Sequence, residues 1–232
     1  TGEVIKGKLE TKPSEVIQVL ISQTMQPKES SVYQTYSSLM KWADEIRTMN
    51  VRTNADQPDQ ARNAIAFGAE GIGLCRTEHM FFDEKKLGPF RRMIVADSLQ
   101  ERMDALKPIL KLQIDDFKGI FEAMDGKPVT IRLLDPPLHE FVPHTEAEVR
   151  LLAKELKKDP EALIKRVEGL KELNPMLGHR GCRLGITYPE VYDMQVEAIM
   201  KAAVTVAKAG VKVHPEIMIP LVGTTAELSM LR

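Results

Sequence analysis

The chain has 232 residues, 43% of them hydrophobic and 28% charged, which suits one large globular domain or two small ones and not a disordered or fibrous chain. Its 32 Lys and Arg balance 33 Asp and Glu to a net charge of −1, so no broad electrostatic pull toward nucleic acid or membrane is expected. Cys75 and Cys182 read as reduced core thiols of a cytoplasmic type of protein; there is no apolar run long enough to span a bilayer and no signal peptide, and an opening Thr suggests a piece of something longer.

Residues 1 to about 30 carry scattered turn residues and one short helix, Pro13 to Gln23, capped by Ser14 or Thr11, and read as a linker. Val32, Tyr36, Leu39, Ala43 and Ile46 recur at spacings of four and three, which predicts an amphipathic helix over 31–48. Asn50 to Asn54 is the first strand, polar in its middle. Pro58 to Phe67 is a helix, with Pro58 in its first turn and Gly68 past its end. Gly71 to Arg76 is the second strand. A long helical pattern over 98–124 is interrupted at Pro108 and stopped by Gly126, and Pro128 to Leu134 is the third strand. Two helices follow, Thr145 to Lys157 and Pro160 to Leu173, the second capped by Asp159. Leu177 to Gly185 holds a fourth strand, Pro189 to Ala209 a helix closed by Gly210, and Glu216 to Val222 a fifth strand. A last helix opens at Thr224 or Thr225. Alternating strands and helices predict an α/β fold with a parallel sheet. Five such units fit part of a (β/α)8 barrel, and an open doubly wound sheet fits the same pattern.

The third strand carries the functional signal. Val129, Ile131 and Leu133 share one face, and Thr130, Arg132 and Leu134 the other. An arginine in such a run needs an anionic partner. The prolines at 136 and 137 stop the strand, so Arg132 lies close to its C-terminal end, where parallel α/β folds bind ligands. Two readings stand: an arginine aimed at a phosphate or carboxylate, or an internal ion pair, with Asp135 as one partner. Gly71 to His79 repeats the arrangement around Arg76, and Leu177 to Gly185 repeats it around Arg180 and Arg183. Three arginine-bearing segments separated by helices suggest a convergent anion site, because guanidinium offers planar bidentate donors.

Leu74 to Phe82, Ile131 to Phe141 (with its Asp-Pro-Pro-Leu-His-Glu-Phe run) and Asn174 to Arg183 resemble the pyruvate, phosphate dikinases among the PEP-utilising enzymes. The likeness covers essentially the whole chain and falls on the start of the C-terminal phosphoenolpyruvate/pyruvate-binding barrel. It implies an incomplete TIM-type barrel, about the first five β/α units over residues 49–232. Residues 1–48 would then hold the end of the phosphohistidine domain, Thr1 to Val4, and a linker helix. It also implies phosphotransfer chemistry: ATP, phosphate and pyruvate interconverted with AMP, diphosphate and phosphoenolpyruvate. The close alternative is phosphoenolpyruvate synthase or another PEP-utilising phosphotransferase. An alternative from a different class is a non-catalytic anion-binding fragment.

On this resemblance Arg76, Arg132 and Arg180 are the substrate-binding residues, and no catalytic or metal residue lies in the segment. Mg2+, its ligands, an asparagine and a proton-donating cysteine belong to later strands of the family's barrel, and ATP binding to another domain. The implied partners are phosphoenolpyruvate or pyruvate, the phosphohistidine domain of the same chain and a second copy in a homodimer. The implied compartment is the cytoplasm, with plastids or other organelles as alternatives. From the residues alone, Arg183 is structural and Arg52 either faces the interior or does not. Glu78 and Asp135 are candidates to orient the arginines. His79, His139 and His179 lack metal-ligand spacing and read as hydrogen-bonded loop or core histidines.

Overall fold

Four short parallel strands organise the chain in the computed structural model, which describes residues 2–7, 11–82 and 84–232. Thr1, which opens the stretch likened to the end of a carrier domain, lies outside the described residues. The chain divides into two units, residues 1–51 with 66–68, and residues 52–65 with 69–232.

In the first unit, α1 (Glu15–Leu20) and α2 (Ser31–Ile46) are set by serine caps. Ser14 accepts from the Ile17 N–H at 3.2 Å, and Ser30 from the Tyr33 N–H at 2.9 Å. The buried Ser30 hydroxyl also donates to Glu15. The helix expected over 31–48 is present. Its apolar stripe is not covered: Val32, Leu39, Trp42 and Ile46 are all more than half exposed.

The sheet belongs to the second unit. Its order is β1 (Thr53–Asn54), β2 (Ile72–Arg76), β3 (Pro128–Arg132), β4 (His214–Met218), each pair parallel. Parallel neighbours need crossovers, and helices supply them. These are α3 (Pro58–Ala66) after β1, then α4 (Glu84–Ile94) and α5 (Leu99–Met124) after β2. After β3 come α6 (Glu146–Leu156), α7 (Pro160–Gly169), α8 (Cys182–Thr187) and α9 (Pro189–Lys208), and α10 (Thr225–Leu231) follows β4. Ile72 and Cys75 of β2 and Val129 and Ile131 of β3 are fully buried. They share one core with Phe117, Ile120 and Phe121 of α5 and Ala198, Ile199 and Ala202 of α9. Val129 and Ile131 lie on the same face of the third strand, as their alternation predicts.

The other face of the sheet is polar. Register sets Thr130 beside Glu216. Arg52 donates to Glu216 at 2.6 and 3.2 Å and to the Thr130 hydroxyl at 3.2 Å, and that hydroxyl donates to Glu216 at 2.6 Å. Arg52 reaches β4 from the residue before β1, across β2, because β2 offers glycines there. A Cβ at Gly73 would lie 3.2 Å from the Arg52 Cβ, and one at Gly71 would lie 2.9 Å from the Pro128 carbonyl oxygen. Arg52 thus lies on the polar face of the sheet.

Three expectations need correction. The fourth strand expected over Leu177 to Gly185 is a 3-10 turn, Pro175–Leu177, a loop and α8. Asn174 accepts from the Met176 N–H at 3.0 Å and starts the turn, and Gly181 at φ 58° is a conformation no extended run can hold. Cys182 therefore opens a helix and is not in a strand, and the described residues form four strands, not five. The last strand starts at His214, earlier than Glu216, with Pro215 on a strand that pairs only with β3. Pro108 does not interrupt α5, because its missing N–H falls at an exposed position where water can meet the freed carbonyl. Helix α4, which contains Pro89, had no counterpart in the periodicity reading.

Gly71→Ala should lower the urea midpoint by the equivalent of about 1–3 kcal/mol with an unchanged slope, since backbone must shift to admit the methyl group. Hydrogen bonds from Arg52 and Thr130 hold the Glu216 carboxyl below its ordinary 4.5. A lowered folded value stabilises above the unfolded value and is lost as pH falls through the folded one. The wild-type advantage over Glu216→Gln should therefore be constant near neutrality and vanish as denaturation is followed below pH 4.5. It should be small, because both partners are more than a third exposed in their side chains.

Candidate functional site

Parallel register places two arginines side by side. Arg76 ends β2, Arg132 ends β3, and the two are register partners. Both stand at the C-terminal ends of their strands, the end at which parallel α/β sheets bind ligands. The chain beyond β3 is then pinned. Leu133 donates its N–H to the Met218 carbonyl at 2.9 Å. The Leu134 N–H goes to Gln195 at 2.7 Å, and the Tyr192 hydroxyl donates to the Leu134 carbonyl at 3.1 Å, both side chains coming from α9. That delivers Asp135, 1% exposed, to the strand ends.

Arg180 arrives from the loop before α8 and is captured by Asp135. Its Nε donates to the carboxylate at 2.8 Å, and its Nη2 to the carboxylate at 3.1 Å and to the Asp135 main-chain oxygen at 2.8 Å. The second face of Asp135 meets Arg132 Nη1 at 3.4 Å. Asp135 therefore joins Arg132 to Arg180. The other Arg132 head nitrogen, Nη2, donates to Glu78, and Thr77 locks the strand end by donating its hydroxyl to the Arg132 carbonyl at 3.0 Å. Arg76 has its own carboxylate, Asp56, at 3.0 Å. The structure thus brings together all three expected arginines, and it gives Glu78 and Asp135 the orienting contacts anticipated for them. The arginines are in ion pairs, as one of the two readings has it, and the pairs sit at the C-terminal ends of the strands.

Asp56 was not anticipated. It lies just past β1, so its position at a strand's C-terminal end was the available signal, but a polar two-residue strand gave little to anchor it. It also accepts from His79 Nδ1 at 2.7 Å. Arg183 uses Nη1 on the carbonyls of Leu177 and Gly178, at 3.1 and 2.9 Å, which is a structural task.

Among the described residues three guanidinium groups face the carboxylates of Asp56, Glu78 and Asp135, so the cluster is not a bare positive hole. What it offers an anion is directional donors. The Nε atoms of Arg76 and Arg132 are buried and lack a partner, as does Glu78 Oε2. Side-chain exposure falls from 37% at Arg76 to 20% at Arg132 and 12% at Arg180, so Arg76 is the most accessible. Neither cysteine competes as a nucleophile. Both thiols are free and buried, and burial pushes their pKa values up. Burial lowers the His179 pKa. Among the described residues no group of three or more His, Cys, Asp and Glu is placed to hold a metal ion.

Comparison with known proteins follows the same line. The family described as PEP-utilising enzyme, PEP-binding domain, matches residues 30–232. The chain is 47% identical over 233 residues to pyruvate, phosphate dikinase of Clostridium symbiosum, covering 100% of this chain and 25% of the relative. It is 52% identical over 231 residues to the chloroplastic pyruvate, phosphate dikinase 1 of Oryza sativa subsp. japonica, covering 98% and 23%. It is 51% identical over 231 residues to pyruvate, phosphate dikinase of Giardia intestinalis, covering 100% and 24%. The chain therefore spans about a quarter of the length of these curated relatives.

Removing the buried carboxylate shared by two half-buried arginines takes the Asp135 partner from Arg180 and leaves Arg132 with Glu78 as its carboxylate among the described residues. Asp135→Ala should destabilise the fold by about 3–5 kcal/mol in denaturant unfolding. Asp135→Ala in an Arg180→Met background should cost clearly less, and additive effects would show that the two residues do not interact.

Proposed function

The chain belongs to the PEP-utilising enzymes, within their PEP-binding domain, and from that premise we propose that Arg76, Arg132 and Arg180 grip the phosphoryl and carboxylate oxygens of phosphoenolpyruvate. The observation that carries this reading is the side-by-side register of Arg76 and Arg132 at two strand ends, each with a buried Nε lacking a partner. The wider reading is a pyruvate, phosphate dikinase, supported by the names of relatives about half identical to this chain. The parallel order of the four strands and the Arg52 brace across them support an arc of a (β/α)8 barrel. Residues 1–48 are proposed as the end of a phosphohistidine domain and its linker helix.

In this reading the phosphoryl group passes between a histidine of the carrier domain and the enol oxygen of the three-carbon acid. The loose transition state spreads its charge over the three equatorial oxygens of the phosphoryl group, where fixed guanidinium donors position and stabilise it. The carboxylates hold the arginines before substrate arrives, which removes reorganisation from the reactive step. Glu78 and Asp135 are each taken by a guanidinium, so this end of the sheet does not fit a divalent cation. The Mg2+ expected of the family would find its ligands elsewhere in the protein, as would ATP. A homodimer and a reducing compartment, cytoplasm or plastid, complete the proposal. Two free buried thiols and the chloroplastic rice relative support the compartment. No helix among the described residues is long and apolar enough to cross a membrane.

Arg132→Ala in the full-length protein should slow pyruvate phosphorylation by a factor of about 30 to 1,000, equivalent to about 2–4 kcal/mol of transition-state stabilisation. Calorimetric titration with phosphoenolpyruvate should show binding that an Arg76→Ala/Arg132→Ala variant loses. A change of less than about threefold in turnover, together with unaltered binding in the double variant, would remove these arginines from the site.

A further inference from the structure

We propose that Asp56 is the positioning residue for Arg76: its carboxylate holds both the main chain and the guanidinium of that arginine and so aims the head group at the anion. The inference rests on the substrate role assigned above to Arg76.

The contact is a closed ring. Asp56 Oδ1 accepts the Arg76 main-chain N–H at 2.7 Å, and Oδ2 accepts Arg76 Nη2 at 3.0 Å. One carboxylate thus fixes where the residue starts and where its head group ends, with the flexible methylene stem strung between. Asp56 is itself buried and hydrogen-bonded. Its side chain is 6% exposed, and its own N–H donates to Gln60 Oε1 of α3 at 3.0 Å. The preceding residue, Ala55, extends the β1–β2 ladder through a 3.2 Å bond to the Leu74 carbonyl. His79 Nδ1 completes the carboxylate's partners at 2.7 Å.

The other two arginines need no such help. Asp135, pinned behind β3, holds Arg180 by two nitrogens and meets Arg132, which Glu78 also engages. Arg76 is the most exposed of the three and, among the described residues, is paired with the single carboxylate of Asp56. A long side chain in that setting samples many rotamers unless something holds its end. With Nη2 engaged, the buried Nε is left for a ligand. Asp56 does not touch substrate in this account and acts only through Arg76.

Asp56→Asn separates the two functions of the carboxylate. The amide oxygen still accepts the Arg76 main-chain N–H, whereas the amide NH2 faces a guanidinium donor that it cannot accept from. The test uses the full-length protein and both half-reactions, phosphoenolpyruvate with pyruvate and the nucleotide side, with Arg76→Ala and the double variant in parallel. The expected result is a 10- to 100-fold loss in kcat/KM for phosphoenolpyruvate with an intact nucleotide half-reaction. In the Arg76→Ala background, Asp56→Asn should add less than about twofold, because a residue acting through Arg76 has nothing left to act on.

A loss below about threefold in the single variant overturns the inference, as does an equal loss in both backgrounds. Loss of the nucleotide half-reaction as well would show that Asp56 serves the fold alone and would likewise overturn it. If Arg76→Ala itself retains wild-type kinetics, the substrate reading of Arg76 fails first. That outcome is distinct from an active-site Arg76 that does not need Asp56.

Discussion

The pairing of β2 with β3 in the register that sets Arg76 beside Arg132 is the constraint on which the remaining site depends. Side chains alternate along a strand, so one register choice decides every face at once. With Cys75 and Ile131 turned into the helical core, the arginines after them must turn to the polar face. A slip by one residue would bury two guanidinium groups among phenylalanines and strand two apolar residues in the polar layer. The apolar core therefore enforces the placement of charges that it does not touch.

That placement is expensive unless it is balanced, and the chain balances it locally. Each carboxylate comes from a segment just beyond a strand end: Asp56 after β1, Glu78 after β2, Asp135 after β3. Two strands supply guanidinium groups, a loop supplies the third, and the segments after the strands supply the counter-charges. Partly buried ion pairs of this kind contribute little to stability relative to apolar packing, but breaking one is costly. Their use here is to hold donors in fixed directions. The layer below, built from Arg52, Thr130 and Glu216, ties the strands together on the same face by a more exposed network.

Much of this was legible in the sequence, for reasons that can be named. Arg132 stood out because one arginine in an apolar run has few acceptable explanations. Ser14, Asp159 and Gly210 announced helix ends because caps and left-handed glycines are local chemistry. Asp56 was illegible because its importance lies in a contact with a residue 20 positions away. Helix α4 was missed because two interruptions, Gly88 and Pro89, hide its period, and its stability comes from tertiary contacts. Phe90 stacks on Phe81 at 4.2 Å and meets Phe141 edge-on at 4.8 Å. The segment around Arg180 was read as a strand because its apolar residues are spaced by glycines. A glycine's φ is not written in its neighbours, and Gly181 takes the positive value that turns the chain into α8.

Arg180 joins the other two arginines although its segment is not a strand. Arg180 does not depend on strand geometry. It is delivered by a loop and then captured by Asp135, whose own position is set by Gln195 and Tyr192 holding Leu134. Helix α9 therefore reaches the site through two hydrogen bonds to the main chain of β3's continuation. The Gly181 turn brings the same loop close enough that a Cβ there would lie 3.1 Å from Asp135 Oδ1. The third arginine is thus placed by a buried carboxylate and a glycine turn, where the first two are placed by register. Two devices converge on one cluster of ion pairs, and the shared Asp135 is the point at which they are joined.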